Sequence, residues 1–115
     1  MFQKDMKYSL LLDFYGDILS ERKRELTGLY YNDDLSLSEI AEISGISRQG
    51  VRDAVKKSEA ELLELEEKLG LAGRYEELRV QITNISSELK SIQTADVATN
   101  AKLNSIAKEL SQLNL

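Results

Sequence analysis

The chain has 115 residues, 42% of them apolar and 30% charged, a balance that excludes a disordered chain and fits one domain with a modest core. Its net charge of −5 argues against a protein that coats nucleic acid nonspecifically. With no cysteine and no histidine, disulfides, thiolate or imidazole metal sites and His-based catalytic triads are all excluded, and no cofactor is expected.

Proline is also absent and no segment alternates β-branched with polar residues, so an all-α fold is expected. The stretch Met1–Ser20 carries Asp5, Asp13 and Asp17 and lacks the continuous apolar core of a signal peptide. No window approaches a membrane span. A cytoplasmic protein without membrane insertion is the expectation.

A first helix is expected from about Asp5 to Leu19. Its apolar stripe would be Met6, Leu10, Phe14 and Ile18, widened by Leu11, Leu12 and Tyr15. Ser20 can cap a second helix over Glu21–Tyr31, burying Leu26, Leu29 and Tyr30. Of the adjacent tyrosines Tyr30 and Tyr31, one is expected in the core and one at its edge. Arg22, Lys23 and Arg24 at the helix start offer a second phosphate contact. Asn32, Asp33 and Asp34 signal a turn.

Ser36-Leu37-Ser38-Glu39 is a capping box that starts a short helix ending at Gly45. Ser47 caps another that can run unbroken to Leu69, about 33 Å at 1.5 Å per residue. A trihelical core needs less, so the second half is expected to project as an arm. Ala41, Gly45 and Val51 have the spacing of a helix-turn-helix. The small residue lies where the helices cross, the glycine supplies a positive φ in the turn, and the β-branched residue fills the core. Ile40, Ile46 and Ala54 complete the wedge.

In a DNA-binding unit of this type the second helix enters the major groove. Ser47, Arg48, Gln49 and Arg52 would meet base edges or flanking phosphates, and Lys56 and Lys57 would meet phosphates one turn on. Asp53 opposes this, because it repels phosphate. Residues 36–58 hold four basic and three acidic side chains, a net of +1, whereas 59–77 hold seven glutamates against Lys68 and Arg74, a net of −5. The acid beside the motif weakens a purely DNA-reading role.

After Gly73 the residues Tyr75, Leu78, Ile82, Ile85, Leu89 and Ile92 alternate spacings of three and four, and Leu103, Ile106, Leu110 and Leu113 resume the same phase. The intervening positions, Asp96 and Thr99, are polar and can cap a helix. An αα-hairpin turning within Thr94–Asn100 is favoured over one long helix with a polar interruption. Leu78, Ile82, Ile85, Leu89, Ile92, Leu103, Ile106 and Leu110 are the candidate dimer or partner surface, and a homodimer is expected through them. The domain organisation expected is a helix-turn-helix domain without a wing over 1–58, then a C-terminal helical arm and hairpin over 59–115. The paired carboxylates Asp33-Asp34, Glu66-Glu67 and Glu76-Glu77 are not candidates for catalysis or metal binding, since neighbours on a helix point about 100° apart. No enzyme is expected.

Leu19–Leu26, Leu37–Glu42 and Gly45–Arg52 together resemble region 4 of bacterial sigma factors. The segments Leu12-Asp13-Phe14-Tyr15, Leu29–Leu37 and Gly45–Val51 are similar to the YlxM family of Gram-positive bacteria, a resemblance covering about residues 5–70. Gly50 and Asp53 depart from the family's usual alanine and aromatic residue. The resemblance implies a helix-turn-helix regulatory or accessory protein of the signal recognition particle pathway, contacting the particle's protein or RNA. A dimeric DNA-binding transcriptional regulator is the alternative.

Overall fold

A computed structural model describes residues 4–113, which hold six α-helices and one 3-10 turn and no strand. They form two compact units, one ending at Ala72 and one beginning at Gly73.

The first unit is built around α4 (Arg48–Leu69), against which α1 (Lys7–Tyr15), α2 (Glu21–Tyr31) and α3 (Leu37–Ser44) all pack. The local signals act where the sequence puts them. Ser20 Oγ accepts from the Lys23 amide, and Ser36 and Glu39 close a reciprocal capping box. Ser47 Oγ takes the Gly50 amide at 3.0 Å. Gly45 ends α3 at φ +73°, a left-handed turn that a Cβ would disfavour. Ile40 and Val51 are fully buried, with Ala41, Ile46 and Ala54 packed against them. The helix-turn-helix is formed as its spacing requires.

The α1 stripe is different. Met6, Leu10 and Ile18 are exposed, while Leu11, Leu12, Tyr15 and Leu19 form the core. A repeat of four overshoots the 3.6-residue turn by about 40° each time, and the chain leaves the α-helix at Tyr15 for a 3-10 turn over Gly16–Ile18. Between Tyr30 and Tyr31, Tyr31 is the core ring and Tyr30 the edge.

The expected arm does not project freely from a closed core. Leu62, halfway along it, is 0% exposed within the main cluster, and Leu65 packs on the same cluster. The compact unit therefore reaches Ala72 rather than closing at residue 58. Its end is tied at a corner where Gly70 takes φ +64°. Tyr15, 1% exposed, donates its hydroxyl to Glu66 Oε1 at 2.6 Å and accepts the Leu71 amide at 3.0 Å. Glu66 Oε1 also accepts the Ala72 amide at 3.0 Å. Burial first, and the Glu66 carboxylate second, raise the Tyr15 pKa above its ordinary value.

The second unit is a helical hairpin, formed by the rest of α5 (Leu71–Ser91) and by α6 (Val97–Ser111). The break is shorter than the sequence suggests, and Asp96 rather than Thr99 caps α6. Asn100 folds back on the turn, accepting from the Thr94 amide and donating to its carbonyl, both at 2.9 Å. Along the heptads, Ile82, Leu89, Leu103 and Leu110 are half-buried, beside the buried Ser86 and Ala107. Ser86 Oγ donates to the Ala107 carbonyl at 3.1 Å, joining the two helices. Every residue of the other seam position, Leu78, Ile85, Ile92, Ile106 and Leu113, is between 38% and 55% exposed.

Candidate nucleic-acid interface

The first half of α4 carries the six residues expected to touch nucleic acid. All are exposed, but their chemistry differs. Ser47 is spent as the cap, its hydroxyl holding the Gly50 amide. A Cβ at Gly50 would lie 3.2 Å from Ser47 Oγ, so an alanine there would need the cap to shift by a few tenths of an ångström. Gln49 Nε2 donates to Asp53 Oδ1 at 2.9 Å, so the one amide able to read adenine is engaged by the carboxylate beside it.

Arg48, Arg52, Lys56 and Lys57 have no ion pair among the described residues. Arg48, Arg52 and Lys56 follow one another at four-residue intervals, which stacks them along one helix face, and all three line the same cleft. Lys57 is not among its lining residues. The second basic cluster is largely neutralised in place: Lys23 pairs with Glu61 at 3.4 Å and Arg24 with Asp17 at 3.1 Å, leaving Arg22 without an ion pair among the described residues.

Opposite the cations stands a wall of tyrosines that sequence reasoning only touched on. Tyr8 and Tyr30 both meet the Tyr31 ring, at centroid distances of 5.5 Å and 4.9 Å. Tyr31 donates its hydroxyl to Glu59. Burial first, then this contact with Glu59, raises the Tyr31 pKa. Lys4 lines the same cleft and sits against the wall. Its ammonium lies 4.0 Å from the Tyr30 ring centroid, donates to the carbonyls of Tyr30 and Leu35, and pairs with Asp34 at 3.2 Å. That pairing secures a turn in which Asp34 has φ +53°.

Lys4, Tyr8 and Glu59 could not have been assigned to this site from the sequence. Lys4 precedes α1, Tyr8 lies on α1 and Glu59 on α4, and only the packing of α1 on α4 brings them together. Tyr30 carried a partial signal, as one of two adjacent tyrosines of which one was expected at the edge of the core. The glutamates that weigh against binding in the sequence are partly committed elsewhere. Glu64 pairs with Lys68 and Glu76 with Arg79, Glu66 belongs to the corner, and only Glu59 lines the cleft.

No three acidic side chains gather as a metal site among the described residues, and no helix among them is long and apolar enough to cross a membrane. A family model described as "Putative helix-turn-helix protein, YlxM / p13 like" matches residues 2–106. The chain is 40% identical over 109 residues to a UPF0122 protein of Thermoanaerobacter sp. (strain X514), covering 93% of each. It is 40% identical over 114 residues to one of Geobacillus kaustophilus, covering 99% of this chain and all of the relative. With one of Bacillus cereus (strain AH187) the identity is 35% over 114 residues, at the same coverage.

Proposed function

The chain belongs to the UPF0122 family of YlxM/p13-like helix-turn-helix proteins, and from that premise we propose that it is a non-enzymatic accessory protein whose α4 face holds the phosphate backbone of a nucleic acid. The observation that carries this is the row Arg48, Arg52 and Lys56, three exposed cations on one helix face with no carboxylate partner among the described residues. A row of cations left open on one face is suited to an external anion.

The state of the base-reading residues favours a backbone-directed contact over sequence readout. Ser47 and Gln49 already have partners, and Asp53 adds negative charge to the surface that would face a duplex. An RNA partner suits this better than an operator, and the YlxM resemblance points to the RNA or protein of the signal recognition particle. Such a partner places the protein in the cytoplasm. The second reading, a DNA-binding regulator with α4 in the major groove, is favoured by the intact helix-turn-helix geometry and by the exposure of Arg48 and Arg52.

A salt titration tests both. Binding to signal recognition particle RNA should tighten steeply as salt falls, the logarithm of affinity tracking that of salt with a slope of about −0.7 to −0.9 per phosphate engaged. Duplex DNA should bind more weakly throughout. Tighter binding to duplex DNA would select the second reading, and no binding to either at low salt would remove both.

We further propose that two copies associate through the C-terminal hairpin. Ile82, Leu89, Leu103 and Leu110 are half-buried in it, while Leu78, Ile85, Ile92, Ile106 and Leu113 remain exposed apolar positions that a second hairpin would cover. Differently tagged copies should co-purify at micromolar concentration, and Ile85→Asp should prevent it. Failure of the unmodified copies to associate would count against a dimer.

A further inference from the structure

We propose that the cleft between α4 and the tyrosine wall is a seat for a single unpaired nucleotide, with its phosphate on Arg48 and Arg52 and its base against Tyr8 and Tyr30. This deepens the backbone-binding role proposed above and rests on it.

The cleft lies wholly within the first unit and has a volume of about 290 Å³, close to the lower end of small-molecule sites. That is room for about one nucleotide. Its chemistry changes from end to end. Arg48 and Arg52 stand at the N-terminal end of α4, where the helix dipole adds positive potential. Lys56 follows and then Glu59, while Lys4 and Asp5 line the same cleft. From Arg52 to Glu59 is seven residues, about 10 Å along the helix axis, a span comparable with that from a nucleotide's phosphate to its base edge.

Each part of a nucleotide meets a suitable group. The phosphate finds guanidinium groups free of ion pairs among the described residues. The base finds half-buried aromatic rings, each with a lysine ammonium near it, Lys4 at 4.0 Å from the Tyr30 centroid and Lys7 at 5.2 Å from that of Tyr8. Unlike Tyr15 and Tyr31, Tyr8 and Tyr30 make no hydroxyl hydrogen bond among the described residues, so their hydroxyls can serve a ligand. Glu59 accepts from Tyr31 through Oε2, and Oε1 can accept from an exocyclic amine, as carboxylates do on cytosine. Inorganic phosphate would use only the cationic end, and an acidic peptide would oppose Glu59. A base bearing an amino group uses both ends.

The test compares a labelled ten-residue oligoadenylate RNA with the same strand in a perfect duplex, by fluorescence polarisation at low salt. The single strand should bind at least tenfold more tightly. Tyr8→Leu should weaken single-strand binding roughly tenfold, the scale of losing one base–aromatic contact, and leave duplex binding unchanged. Tyr8→Phe should retain most of the affinity. Titration of adenosine monophosphate followed by amide NMR separates the two sources. Shifts at Tyr8, Arg52 and Glu59 with the mononucleotide mean that a free nucleotide suffices; the same shifts only with the oligomer mean that a strand is required.

Equal affinity for strand and duplex, with Tyr8→Leu neutral and Arg52→Ala still damaging, would overturn the nucleotide seat and leave the backbone contact standing. No binding to any of these probes at low salt would overturn both.

Discussion

Leu62→Ala is expected to destabilise the protein by about 3 kcal/mol, the middle of the range for a fully buried leucine cut to alanine. Leu62 is 0% exposed and belongs to the same cluster as Ile40, Val51 and Tyr15. Truncation removes apolar contact and leaves a cavity that the surrounding helices, held by Tyr15 and Tyr31 to α4, cannot readily close. For a chain of this size the melting temperature should fall by roughly 10–20 °C. The neighbouring Leu63, 39% exposed, supplies the comparison: Leu63→Ala should cost less than about 1 kcal/mol. Urea denaturation of the full chain measures both. Equal costs at 62 and 63 would mean that the second half of α4 is not part of the core.

The second large effect is on binding. The double variant Arg48→Ala/Arg52→Ala should lose about 100-fold in affinity for RNA at low salt and lower the salt slope by the equivalent of about two phosphates. Neither side chain packs in the core and neither has an ion pair among the described residues, so the loss should come without a change in melting temperature. Lys68→Ala is the matching control, because Lys68 already pairs with Glu64 at 2.9 Å. A double variant that binds as well as the parent would remove α4 as the nucleic-acid face.

The contrast between these residues shows what the sequence could carry. Caps, turn glycines and the helix-turn-helix wedge depend on neighbours within a few positions, and Ser20, Ser36, Gly45, Ser47 and Val51 were legible for that reason. The α1 face was not, because its burial is decided by how the helix lies on α4, and a stripe of Met6, Leu10 and Ile18 looks as apolar as the one that is buried. The partners of Tyr15 and Tyr31 stand 51 and 28 residues away. No local rule links them, so Glu59 and Glu66 read as two more charges in an acidic run. The row of cations on α4 was visible, since helical spacing alone aligns it. The tyrosines facing it became a wall only when α1 and α2 were packed.

The corner at Gly70 has a consequence for how α5 starts. A helix in water must order its first turn before any hydrogen bond rewards it, and this nucleation step has a probability factor of order 10⁻³. Here the amides of Leu71 and Ala72 are received by the Tyr15 hydroxyl and the Glu66 carboxylate, both already fixed by α1 and α4. Two of the amides that a helix leaves without partners at its start are thus received by groups already fixed in the first unit, and the opening turn of α5 is held by that surface.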